Sequence, residues 1–148
     1  MHPGGINYFI DTSALLKRYN LEAESEVVNE LFSSPGKFFI SAITPVEVIS
    51  NLRRLVDVDN LIDEKEFQLL QGVFLRDIAI NRLEIVELTP SILVGSLDLC
   101  TKQYITPPDA LQLSSSLEIN EPLIFVCSNK KLLHLASQKG LETLDPTA

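Results

Sequence analysis

Tyr8-Phe9-Ile10-Asp11-Thr12-Ser13-Ala14-Leu15 is the stretch whose reading decides the fold. The run Ile6 to Ile10 contains two aromatic and two β-branched residues, the composition of a strand covered on both faces. It stops abruptly at an acid. A helix is expected immediately after, over Ser13 to Tyr19, with Thr12 or Ser13 able to cap it. A strand, an acid at its exit and a helix directly behind it make the first part of a strand–helix–strand unit.

Working outward, the same alternation recurs. Glu22 to Phe32 places Val27, Val28, Leu31 and Phe32 on one helical face, with acids in the first turn where the helix dipole favours them. Ser33-Ser34-Pro35-Gly36 ends that helix, and Lys37 to Ile40 reads as a second strand. Thr44-Pro45-Val46-Glu47 opens a helix to about Val56, and Asp63 to Ile80 is a longer amphipathic one with Phe67, Leu70, Phe74 and Ile78 in register. A third strand is expected at Leu83 to Leu88, then helices from Thr89-Pro90 to Tyr104 and from Thr106 to Ile119. Leu123 to Cys127 is a dense apolar strand, Ser128 to Lys139 a helix closed by Gly140, and Glu142 to Leu144 a last short strand. The expected fold class is α/β: a central parallel sheet of about five short strands, flanked by helices on both faces.

Composition agrees with one soluble domain spanning residues 1–148. A hydrophobic share of 45% with 22% charged residues excludes a disordered chain. Twenty acids against twelve bases leave a net charge of −8, which excludes a protein that coats nucleic acid with a broad basic face. An enzyme that meets phosphates through bound cations remains compatible with that balance. Cys100 and Cys127 cannot form a disulfide framework or a structural zinc site, and read as small hydrophobes in a reducing compartment. The start Met1-His2-Pro3-Gly4-Gly5 lacks a basic leader, and no apolar run approaches membrane-spanning length. A cytoplasmic location is therefore expected.

In open parallel sheets ligands gather beyond the carboxyl ends of the strands. The residues there are Asp11 after the first strand and Ser128 and Asn129 after the fourth. Glu47 and Asp109 stand in the first turns of helices that begin after Thr-Pro turns. Three carboxylates at chain reversals suit one hard divalent cation, which takes oxygen ligands. Each acid has a plainer role available: Glu47 completes a capping box with Thr44, Asp109 bears the same relation to Thr106, and Asp11 can serve a turn or cap. Lys130 and Lys131 open a helix whose dipole they oppose, which lends mild support to a phosphate-facing role, while a solvated pair is the preferred reading. Arg53 and Arg54 read as an exposed helix end, and His2 and His134 are too isolated for a catalytic pair. No glycine-rich phosphate loop follows the first strand. An aspartyl-phosphatase reading fails because Ser13 stands where a second acid is needed.

Four stretches resemble, in order, the motifs of PIN-domain ribonucleases, especially the VapC-type toxins of bacterial and archaeal toxin–antitoxin pairs. Tyr8 to Leu15 resembles the opening motif, Ser41-Ala42-Ile43-Thr44-Pro45-Val46-Glu47-Val48 the second, and Pro108-Asp109-Ala110-Leu111-Gln112-Leu113 the third. Phe125-Val126-Cys127-Ser128-Asn129-Lys130-Lys131-Leu132, with Gly140-Leu141 beyond, resembles the fourth. The resemblance implies a single PIN-like domain that cleaves RNA endonucleolytically with Mg²⁺ or Mn²⁺. It implies Asp11, Glu47 and Asp109 as catalytic, metal-holding acids, with Ser13 in support; Ser128 and Asn129 add weak oxygen donors beside them, and Lys130 and Lys131, from their place in the first turn, are the candidates for a substrate phosphate. It further implies a homodimer and a small antitoxin partner that covers the acidic pocket. One departure matters: Asn129 stands where the family commonly has a fourth Asp, and no acid lies between Glu121 and Glu142 to replace it. One well-held metal and reduced activity are expected. The alternative is a PIN scaffold that binds RNA or a protein partner without cutting.

Overall fold

The computed structural model describes residues 5–19, 25–80 and 82–147. The elements run β1 (Tyr8–Ile10), α1 (Thr12–Tyr19), α2 (Ser25–Ser33), β2 (Phe38–Ser41), α3 (Thr44–Asp57) and α4 (Glu64–Ala79). They continue with β3 (Glu84–Val86), α5 (Pro90–Lys102), α6 (Pro107–Leu117), β4 (Ile124–Val126), α7 (Lys130–Gln138) and β5 (Glu142–Leu144). The five strands form one parallel sheet in the order β3-β2-β1-β4-β5, the α/β architecture expected from the periodicity. Strand order reverses at β1, whose neighbours are β2 on one side and β4 on the other.

The pleat explains why the central strands are apolar throughout. Tyr8, Ile10, Phe38, Ile40 and Val126 face one core, filled from α1 to α4 by Leu15, Phe32, Leu52, Phe67 and Phe74. Phe9, Phe39, Phe125 and Cys127 face the other, filled from α5 to α7 by Leu99, Leu113, Leu132 and Ala136. Phe9 pairs in register with Phe125, and their rings stack at 5.7 Å. The edge strands β3 and β5 are largely exposed, and the expected strand from Leu83 to Leu88 contracts to the three residues that pair with Phe39, Ile40 and Ser41 of β2.

Two charged ties hold the first helical layer. Asp77 of α4 is buried, and Arg18 of α1 donates to both of its oxygens at 2.9 and 3.2 Å. The Tyr19 hydroxyl adds a third bond to Asp77 at 2.6 Å. Arg53 binds Asp57 and reaches Glu64 at 2.6 Å, so it joins α3 to α4 rather than ending a helix in solvent. Asp63 and Glu66 form a reciprocal capping box on α4. Gly140, at a left-handed φ of 90°, ends α7 as expected.

Several expectations change. Asp11, rather than Thr12 or Ser13, caps α1: its side chain accepts the Ala14 N–H at 3.1 Å. The Thr44–Glu47 capping box does not form, because α3 starts at Thr44 with Ile43 before it and no side-chain cap. Thr44 is then helical and turns inward. At α6 half of the expected box exists, since Thr106 accepts from the Asp109 N–H at 3.4 Å. Cys127 is buried as expected, but Cys100 is exposed. Residues Glu22 to Glu24 and His2 lie outside the described residues. Among the described residues, no helix is long and apolar enough to cross a membrane.

Candidate active site

β1 delivers Asp11 to the carboxyl edge of the sheet, beside the point where strand order reverses. The Asp11 N–H still bonds the Val126 carbonyl at 3.0 Å, so the acid is held at the β1–β4 seam. Its side chain is fixed three ways. It caps α1 through Ala14, and Ser13 Oγ lies 2.8 Å from Oδ1 and 3.0 Å from Oδ2, straddling the carboxylate. Ser13 Oγ in turn accepts the Ser128 N–H at 3.2 Å, which ties the loop after β4 to the acid.

Asp11 is 3% exposed. Its carboxyl is raised to about 6: burial pushes it up most and Asp109 adds to this, while the Ala14 N–H, Ser13 and Cys127 pull it down. None of these neighbours is a cation. Cys127, beneath the acid, is a neutral thiol, since burial and the Asp11 charge push it well above its ordinary range. Its sulfur accepts the Asn129 N–H at 3.2 Å, a structural contact rather than a nucleophile's.

Glu47 occupies a second polar cluster behind the first. Thr12 Oγ1 lies 2.7 Å from Glu47 Oε1 and 3.1 Å from Thr44 Oγ1. Gln112 Nε2 reaches Thr12, Thr44 and Glu47 at 3.0, 2.9 and 3.1 Å. Asp109 and Gln112 are one helical turn apart on α6, and Asp11 and Thr12 are adjacent, so the two clusters share both elements. The fold thus places Asp109 within electrostatic reach of Asp11 and fastens Glu47 next door. Among the described residues, no three His, Cys, Asp or Glu side chains are gathered tightly enough to hold a metal as they stand.

Asn129 caps α7 by accepting the Leu132 N–H on Oδ1 at 3.2 Å and turns its Nδ2 toward Asp109 Oδ2 at 3.5 Å. The amide therefore supplies a donor to Asp109, and its oxygen is committed to the helix. Lys131 Nζ donates to the Tyr104 carbonyl at 2.6 Å and lies 5.1 Å from the centre of the Tyr104 ring. Lys130 is exposed in the same turn.

The donor set fits a hard divalent cation. It consists of carboxylates and hydroxyls, Asp11 is buried without a compensating positive charge, and Ser128 Oγ is buried with no hydrogen-bond partner. The sequence marks Thr12 and Thr44 only as helix-cap candidates and does not mark Gln112 as a site residue. The available signal was Gln112 itself, a polar residue at a buried position of Ala110-Leu111-Gln112-Leu113.

A family model described as the PIN domain matches residues 8–136. Among solved structures, the chain is similar to a toxin–antitoxin complex from Klebsiella pneumoniae, with a TM-score of 0.63, 20% identity, and coverage of 94% of this chain and 97% of that one. VapBC2 from Rickettsia felis, bound to a DNA fragment from its promoter, gives a TM-score of 0.66, 21% identity, and coverage of 95% and 98%. VapBC-1 from nontypeable Haemophilus influenzae gives 0.62, 16% identity, and coverage of 97% and 100%. These similarities describe a shared fold. No curated protein sequence matches the chain.

Proposed function

This chain belongs to the PIN domain family, and from that premise we propose that it is a divalent-metal-dependent endoribonuclease that hydrolyses RNA phosphodiester bonds. We propose further that it is the toxin of a toxin–antitoxin pair, held by a small antitoxin and acting as a homodimer in the cytoplasm. The observation that carries the reading is Asp11: a capped, buried carboxylate at the sheet's switch point, within electrostatic reach of Asp109, with no cation among the groups that act on its ionisation. A desolvated carboxylate with a second acid acting on it costs stability unless an external charge offsets it.

Asp11, Asp109 and Glu47 would hold Mg²⁺ or Mn²⁺. When bound, the cation supplies Lewis acidity, lowers the pKa of a water and neutralises charge on the phosphoryl oxygens. The chain's own groups do the positioning. Ser13 and the Ala14 N–H fix the rotamer of Asp11. Thr12 and Gln112 hold Glu47 through one oxygen. Asn129 donates toward Asp109 and so eases its repulsion with Asp11. Lys130 contributes positive charge for an incoming phosphate at the start of α7.

The second reading is a PIN scaffold that binds RNA or a protein partner without cutting. Asn129 favours it, since it brings no negative charge to the metal site, as does the engagement of Glu47 with Thr12 and Gln112. Purified protein incubated with RNA and Mn²⁺ separates the two. Cleavage by the wild type and its loss in Asp11→Asn are expected. Equal activity in both proteins overturns the nuclease assignment.

A further inference from the structure

Resting on the nuclease reading, we propose that the slot between Tyr104 and the N-terminal ends of α6 and α7 is a nucleobase subsite, which stacks one unpaired base of single-stranded RNA on Tyr104. The slot encloses about 170 Å³ and adjoins the acids directly, because Asp109 and Asn129 are part of its wall. Its floor is apolar: Ile105, Leu132 and Leu135 are buried there. Tyr104, between α5 and α6, is 77% exposed. An isolated exposed apolar ring is ordinary. This one borders an apolar-floored cavity next to the candidate active site.

Lys131 supplies the second half of the argument. Its ammonium is anchored on the Tyr104 carbonyl at 2.6 Å and sits over one face of the ring, 5.1 Å from its centre, so a base stacks on the face it leaves open. It forms no ion pair among the described residues, so its charge at the lip of the slot is not neutralised by a carboxylate. An aromatic wall, an apolar floor, an amide and a hydroxyl at the rim and a held cation together suit a planar heterocycle joined to a phosphate. A base seated there carries its own phosphate toward Asp109. The sheet's opposite end offers a contrast: a roomier cleft between Ile6 and Gly140 has neither an aromatic ring nor a cation among the described residues that line it. In a chain of net charge −8, the subsite gives RNA a foothold that needs no broad basic face.

The test is fluorescence anisotropy with a 5′-fluorescein single-stranded oligoribonucleotide, titrated with the full chain in EDTA so that metal-dependent cutting is off. Tyr104→Ala is expected to bind about tenfold more weakly and Tyr104→Phe like the wild type, since stacking uses the ring and not the hydroxyl. Abasic substitution along the oligonucleotide should weaken the wild type at one position and leave Tyr104→Ala unaffected there. The proposal is overturned if Tyr104→Ala binds as tightly as the wild type, or if the wild type binds no RNA. Cleavage assays in Mn²⁺ separate this failure from that of the nuclease reading. Unchanged cutting and binding by Tyr104→Ala defeats the subsite alone, whereas Tyr104-dependent binding by a wild type that never cuts keeps the subsite and defeats the nuclease.

Discussion

Asp11 and Asp77 are both buried aspartates, 3% and 5% exposed, yet the molecule treats them in opposite ways. Asp77 brings its counter-charge with it: Arg18 grips both oxygens, and Tyr19 adds a short hydrogen bond. Asp11 receives a serine hydroxyl and one backbone N–H, and the nearest charge that acts on it is another acid, Asp109. A buried carboxylate with a built-in cation is a strut between helices. One held at a strand end with a second acid nearby is a place for a charge from outside.

The largest effect should come from breaking the strut. Asp77→Ala strands the Arg18 guanidinium and the Tyr19 hydroxyl in a partly buried site, and should cost about 2–4 kcal/mol of folding stability. Urea unfolding should show a lower midpoint at an unchanged slope.

Asp11→Asn should do the reverse in the metal-free protein. Asparagine retains the cap on Ala14 but removes the charge whose burial is unfavourable. The folded carboxyl lies at about 6, above its ordinary 3.8. Its contribution is therefore complete below about pH 4 and is lost as pH rises through about 6. In EDTA at pH 7–8 the variant should exceed the wild type by about 2–3 kcal/mol, with the difference vanishing near pH 4. Added Mn²⁺ should stabilise the wild type and leave the variant unchanged. A variant less stable than the wild type at every pH would make Asp11 a second strut.

Asn129→Asp is the smallest change. It preserves the α7 cap, replaces the donor facing Asp109 with a charge, and should tighten Mn²⁺ binding up to about tenfold. Calorimetric titration reads this directly, and an unchanged affinity would place Asn129 outside the metal's reach.

The strut and the site were unequally legible in the sequence. The scaffold was readable because Phe9, Phe39 and Phe125 lie in short runs whose only economical packing is a doubly covered strand, and Pro45, Pro90 and Pro107 mark helix starts. Asp11 was readable for the same reason, as an acid at the end of such a run. Asp77 was not, because nothing on α4 announces that Arg18, 59 residues earlier, packs across it. The Thr12–Thr44–Glu47–Gln112 cluster was hidden likewise, since each member gains its meaning from side chains on other elements. Thr44 misled further: Thr-Pro-x-Glu is a capping pattern, but with α3 starting one residue early its hydroxyl faces inward to Gln112.

The most direct test of the distinction is anomalous diffraction from a crystal grown with Mn²⁺. A peak at roughly 2.0–2.6 Å from carboxylate oxygens of both Asp11 and Asp109, and none at Asp77, is the predicted result. Density elsewhere on the protein, with Asp11 and Asp109 left without a shared ion, would contradict it.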